Sequence, residues 1–259
     1  MSMEEVIRLV NNRDWQALKE RFAPLCSSDD TEYECDICHD SGWVDVGERR
    51  VAPCRCVALK RAKRQMAQSG LGGLLDRYTF DGFAQDEPWQ QGLLSLAQEY
   101  LQHVLSGGKG WLYLGGQPGC GKTHLCTAVC AGLLEKGIPV RYMLWTDQIQ
   151  RIKADINNSE AMEQLLEPLK TITVLYVDDL FKGPPGVSPT PTAADLRLAF
   201  EIFNMRYVRQ LCTILSSEWD LTALLTADQG TFSRVYQQSK GFTAFVKPDM
   251  GKNFRLRGV

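Results

Sequence analysis

The sequence predicts an α/β fold, a doubly wound sheet of five parallel strands with a small cysteine-rich module ahead of it. Three features carry that expectation. From residue 86 onward, short apolar runs alternate with longer segments of helical periodicity. The first run leads into a glycine-rich turn, G-x-x-x-x-G-K-T, and the third ends in two acids, Asp178 and Asp179. Four of the nine cysteines crowd into residues 35–56, a stretch too polar to bury thiols in a core of its own. We therefore divide the 259 residues into an N-terminal helical and metal-binding domain (1–68), a linker (69–85) and an α/β domain (86–259).

Net charge is only −2, which gives no global basic field for nucleic acid. Charge is nonetheless uneven. Residues 31–47 carry only acids, whereas 48–64 carry seven Arg or Lys against Glu48 alone. The start, Met-Ser-Met-Glu-Glu-Val, has neither the cationic nor the apolar region of a signal peptide, and no run is long enough to span a bilayer. The chain is expected in the cytoplasm, where cysteines point to metal or reduced thiols rather than disulfides.

Residues 3–25 read as a helix, with Val6, Leu9, Val10, Trp15, Leu18 and Phe22 near helical spacing and too little chain to bury that face alone. Cys35, Cys38, Cys54 and Cys56 follow in C-x2-C-x15-C-x-C spacing. Each close pair can form a knuckle presenting both sulfurs to one side, so the pairs can converge on one tetrahedral ion. Zinc suits four thiolates in a reducing compartment and would be structural, since no position is left open for water. An iron–sulfur cluster is the alternative, and the unusual closing C-x-C keeps His39 open as a substitute ligand. Val57 to Gln68 reads as a helix exposing Lys60, Arg61, Lys63 and Arg64, either a solvated face or a contact for DNA or an acidic partner.

The α/β domain opens with an amphipathic helix from Pro88 to Ser106, with Leu93, Ala97, Tyr100, Leu101 and Val104 on one face and Gly107 placed to end it. Strands are expected over 111–114, 138–144, 172–177, 211–215 and 242–246. Between them lie a helix with Leu125, Val129 and Leu133 facing inward, two helical stretches divided at Asn157-Asn158-Ser159, and a helix from Thr192 to Arg209 with Asp195 near a capping-box position. A proline-rich loop precedes that last helix, and a short helix surrounds Phe232.

Between the first strand and its helix, the run Gly116, Gln117, Pro118, Gly119, Cys120, Gly121, Lys122, Thr123 and His124 reads as a phosphate-binding P-loop. Its glycines let successive backbone N–H groups turn onto phosphate oxygens, and the helix N-terminus adds partial positive charge. Lys122 would reach the β- and γ-phosphates and Thr123 would hold Mg²⁺. Cys120 is a small residue tolerated in that turn. A strand ending in acids downstream of a P-loop delivers a carboxylate to the metal side of the phosphates, which makes Asp178 the Mg²⁺-associated acid and Asp179 the group that polarises water. ATP, Mg²⁺ and Zn²⁺ are the expected ligands.

With these motifs, Ser216-Ser217-Glu218 and Ser233-Arg234 in this order, the chain resembles the replicative helicase loaders of the DnaC/DnaI type, AAA+ ATPases of the initiator clade, and especially their phage-encoded versions. Leu175-Tyr-Val-Asp-Asp-Leu-Phe-Lys-Gly, Asn204-Met-Arg-Tyr and Ile214-Leu-Ser-Ser-Glu look like signatures of that family, and the likeness covers the whole chain. It implies an AAA+ core with a reduced or absent lid, since only about a dozen residues follow the fifth strand. It also makes Glu218 the sensor at the end of the fourth strand and Arg234 an arginine finger acting in trans, with self-association through the ATP sites. Arg255 is the substitute for the lid's sensor arginine.

The implied activity is ATP-dependent deposition of a DnaB-type replicative helicase hexamer on single-stranded DNA, in the cytoplasm of a bacterial host. The front module, with Leu9 and Trp15, would dock the helicase, and Arg151 and Lys153 would contact the DNA strand. Turnover is expected to be slow, because Asp179 stands where faster relatives carry Glu. Three rivals share parts of this pattern. An IstB-type transposition-associated ATPase has the same core, and a non-enzymatic zinc adaptor would keep the fold without hydrolysis. A small-molecule P-loop kinase would need an arginine-rich lid, and the proline loop offers one lysine and no arginine.

Overall fold

The computed structural model describes residues 33–47, 50–68, 72–155, 158–183 and 190–256. The expected helix over 3–25, with Leu9 and Trp15, lies outside the described residues, as does most of the proline loop. Contacts divide the chain into two compact units, 1–52 and 53–259, and each is described by itself.

In the first unit, tight turns follow Cys35 and Cys38: Cys35 O accepts from the backbone of His39 at 2.9 Å, and Cys38 O from that of Ser41 at 3.0 Å. Strand β1 (Trp43–Asp45) then runs into the ribbon it forms with β2 (Val51–Pro53).

In the second unit, α1 (Arg55–Gln68) begins right after Cys54, and α2 (Gly72–Leu75) is a single turn. The long helix α3 (Pro88–Leu105) starts where its sequence says it should. Pro88 is pre-shaped for the first turn, and Glu87 with Gln90 forms a reciprocal capping box. It ends at Gly107, whose φ of +86° few other residues adopt, and the following N–H returns to His103 O at 2.9 Å. The predicted face of Leu93, Ala97, Tyr100, Leu101 and Val104 is buried.

The sheet holds β3 (Trp111–Gly116), β4 (Val140–Leu144), β5 (Val174–Leu180), β6 (Cys212–Ser217) and β7 (Thr243–Val246). Their order is β4-β5-β6-β3-β7, and every pairing is parallel. Alternation along β3 sends Leu112 and Leu114 to one core and Trp111 and Tyr113 to the other, as a sheet covered on both faces requires. The first core is closed by α3 and α4 (Lys122–Glu135). The second is closed by α5 (Trp145–Ala154), α6 (Ser159–Thr171), α7 (Ala193–Val208), α8 (Leu221–Ala227) and α9 (Gln229–Gln238). This is the expected α/β fold. Thr192 and Asp195 form the capping box that starts α7, also as expected.

One boundary differs in an instructive way. The third strand does not stop at Val177 but continues to Leu180, with a register break between those two residues and Asp179 at φ 53°. Acids usually end strands; here Asp178 stays in the sheet because neighbouring hydroxyls fill its oxygens, as described below.

Across the back of the sheet, Arg206 of α7 is wholly buried. Burial opposes its charge and lowers its pKa. Its guanidinium offsets that by donating to Thr213 Oγ1 at 2.9 Å, to the carbonyls of Leu169 and Ile172 at 2.8 and 2.9 Å, and to that of Cys212. Arg206→Ala should leave several of these acceptors unpaired and cost about 3–5 kcal/mol, read as a lower urea midpoint.

Candidate functional site

The P-loop lies at the C-terminal end of β3, where open α/β sheets bind their ligands. It is shaped by residues that only glycine can supply. Gly119 has φ +77°, and a Cβ there would come within 2.0 Å of Asn253 Oδ1; Gly121 has φ +93°, and a Cβ would lie 2.5 Å from the Phe83 ring. Lys122 is buried and donates to the carbonyls of Gly116 and Gln117 at 2.7 and 2.9 Å. Cys120 is buried too, and burial outweighs the nearby Lys122 to push its thiol up.

The two motifs meet. Thr123 Oγ1 donates to Asp178 Oδ1 at 3.1 Å, joining the first turn of α4 to the end of β5. The same carboxylate accepts from Tyr176 at 2.8 Å, from Tyr142 at 3.2 Å and from Ser216. Burial, and then the charge of Asp178, push both tyrosines up, so each keeps the proton it donates.

A cavity of about 280 Å³ opens over this junction. Pro118, Gly119, Gly121, Lys122, Thr123 and His124 line one side and Asp179, Lys182 and Glu218 another. Lys182 Nζ lies 2.8 Å from Asp179 Oδ2 and 3.3 Å from Glu218 Oε1. Burial pulls this lysine down, but its two acidic partners outweigh that and leave it raised.

Tyr78 and Phe83 form an aromatic wall. His124 stacks on Tyr78 at 4.7 Å, meets Phe83 edge-on at 5.3 Å and makes a 2.7 Å hydrogen bond with Thr79 O. Burial lowers its pKa, which favours the neutral imidazole on this wall.

The tail after β7 closes the remaining side. Phe254 N donates to Gly119 O at 3.0 Å, and Gln117 and Asp249 exchange hydrogen bonds of 2.6 and 2.7 Å. Arg255 lines the cavity, whereas the Gln117 side chain is turned toward the tail.

Other candidates lie apart from it. Arg234 of α9 is outside the cavity, its guanidinium 5.7 Å from both the Phe200 and Tyr207 rings. Lys153 is engaged by Asp195 at 2.7 Å, beside the cap of α7, while Arg151 is exposed. In the front module, the sulfurs of Cys35, Cys38, Cys54 and Cys56 lie within 4.8 Å of one another. Four thiolates around a tetrahedral ion sit about 3.8 Å apart, so this donor set fits a closed four-coordinate metal site. His39 is outside the cluster, edge-on to Tyr33 at 4.7 Å.

Tyr142, Tyr176, Tyr78, Phe83 and Lys182 were not legible as site residues beforehand. The only sequence signal was the position of Lys182 three residues beyond Asp179.

Comparison with known proteins places the fold and the motifs together. Residues 101–226 match the family of IstB-like ATP binding proteins. An uncharacterised Bacillus subtilis (strain 168) protein, YqaM, is 30% identical over 223 residues, covering 83% of this chain and 69% of that protein. The chain belongs to the IstB/DnaC family. Within the IstB/DnaC family, the replicative helicase loader DnaC of Escherichia coli (strain K12) is 30% identical over 133 residues, 49% of this chain and 54% of DnaC. A crystal structure of the DnaC helicase loader aligns with a TM-score of 0.54 at 22% identity, over 67% of this chain and all but 1% of that one, a likeness of fold. Among the described residues no helix is long and apolar enough to cross a membrane.

Tyr176→Phe removes one donor from a buried carboxylate. It should cost about 1.5–3 kcal/mol, measured by chemical denaturation, with the sheet otherwise intact.

Proposed function

We propose that this chain is an ATP-dependent loader of a replicative DNA helicase, hydrolysing ATP slowly and assisting the helicase onto single-stranded DNA. The observation that carries the ATPase reading is the 3.1 Å contact between Thr123 and Asp178, which unites the P-loop with the acid-bearing strand on one cavity. The loader reading adds kinship to DnaC over about half the chain.

In this reading Lys122 exchanges its two carbonyl partners for phosphate oxygens, and the aromatic wall of Tyr78, Phe83 and His124 receives the base. Thr123 and Asp178 are the residues that would hold Mg²⁺, a hard ion matched to their oxygens, which when bound offsets charge on the phosphates. Asp179 orients the attacking water and accepts its proton. The water oxygen bonds to the γ-phosphorus as the β–γ bridge breaks, and ADP and phosphate leave. Glu218 stands across from Asp179 to sense that event. Arg234 rests outside its own cavity, so its contact with nucleotide is with that of a neighbouring copy, and assembly sets the rate. The cysteine cluster takes zinc as a structural ion in the front module. That module would dock the helicase, with Leu9 and Trp15 in the segment ahead of the cysteines. Arg151 is the remaining candidate for strand contact, with Lys153 committed to Asp195.

The IstB-like family match keeps a transposition-associated ATPase as the second reading. Co-purification with the host's replicative helicase, with and without ATP, separates the two. A purified chain that never retains the helicase under either condition would sink the loader assignment.

Lys122→Ala should abolish binding of a fluorescent ATP analogue. Arg234→Ala should leave that binding unchanged and remove the assembly-stimulated part of turnover, about 10³-fold if the arginine acts as trans fingers do. Purified protein should contain one zinc per chain by elemental analysis, and Cys54→Ser should lose it, together with the order of the front module.

A further inference from the structure

We propose that Lys182 is a positioning residue, a cationic latch that holds the carboxylates of Asp179 and Glu218 in the isolated chain, favouring nucleotide binding while restraining hydrolysis. This rests on the ATPase reading above. Nothing in the P-loop or the acid-bearing strand calls for a lysine here, yet the backbone goes to unusual lengths to place one.

Asp179 and Phe181 both adopt left-handed φ, 53° and 59°, although neither is glycine. Such a turn persists only when its surroundings over-determine it. Leu180 is fully buried, and its carbonyl accepts from Ser217 at 2.8 Å. The Phe181 ring lies against Trp145 at 4.9 Å and Phe232 at 5.7 Å, while Asp179 N donates to Ser216 Oγ at 3.0 Å. The outcome is that Lys182 N returns to Asp179 O at 2.9 Å and the ammonium swings back over the acids it has just left behind.

Two consequences follow from that position. Asp179 and Glu218 face a cavity that is to receive a polyanion, and an ammonium between them, 2.8 and 3.3 Å away, offsets their repulsion of it. The same contact occupies Asp179 Oδ2, the oxygen that would otherwise take a water proton. One cation therefore acts in opposite directions on affinity and on turnover. A lysine that merely propped up the turn would move neither in this paired way, and one that bound the phosphates directly would lower turnover when lost.

The test compares wild type, Lys182→Met and Lys182→Arg as full chains. It measures affinity for a fluorescent ATP analogue and, separately, phosphate release at saturating ATP, with thermal melts to show that each is folded. Lys182→Met should bind nucleotide about three- to tenfold more weakly and turn it over about three- to tenfold faster, with Lys182→Arg near wild type on both. Turnover that falls or stays unchanged in Lys182→Met, or affinity that does not weaken, overturns the latch. Wild type that binds no nucleotide would instead remove the ATPase reading itself, and the latch with it.

Discussion

The carboxylate of Asp178, 4% exposed within β5, can be buried there only if donors fill its oxygens. They come from four places: Thr123 on α4, Tyr142 on β4, Tyr176 on its own strand and Ser216 on β6. One side chain thus fixes the P-loop helix against three adjacent strands. Because Asp179 N is in turn held by Ser216, the residue that faces the cavity inherits its position from the residue that does not. Loss of this carboxylate would leave the buried Tyr176 and Ser216 hydroxyls without the acceptor they share in the interior.

What could be read beforehand was what is local in sequence. The P-loop, Asp178 with Asp179, and the two cysteine pairs declare themselves by short spacing in a strand-turn-helix or knuckle context. The roles of Tyr142 and Tyr176 instead depend on cross-strand register, in which those two residues lie side by side and Leu144 meets Asp178. Tyr78 and Phe83 sit in a stretch with neither helical nor strand period, and only the fold brings them to His124. Lys153 looked like an uncommitted cation because its partner, Asp195, lies on another helix. The third strand read short for a related reason: an acid looks like an exit from a sheet until its donors are known.

The site and its outlying arginine are built on different layers. The cavity rests on strand ends and on the α3–α4 side of the sheet, whereas Arg234 belongs to the α7–α9 layer, aligned between Phe200 and Tyr207. Arg206 ties that layer to the sheet through bonds reaching the end of α6 and the start of β6. Arg234 is thus carried on a layer that Arg206 bonds to the sheet, with its guanidinium beside two rings of that same layer.

The short strap after β7 gives the phosphate loop a second boundary. Asn253 leaves no room beyond the hydrogen at Gly119, and Phe254 takes that glycine's carbonyl. A loop hemmed in this way cannot widen alone: whatever reshapes it must also shift the strap. The two segments, far apart in the chain, should melt, exchange their amide hydrogens and yield to proteases as one cooperative piece.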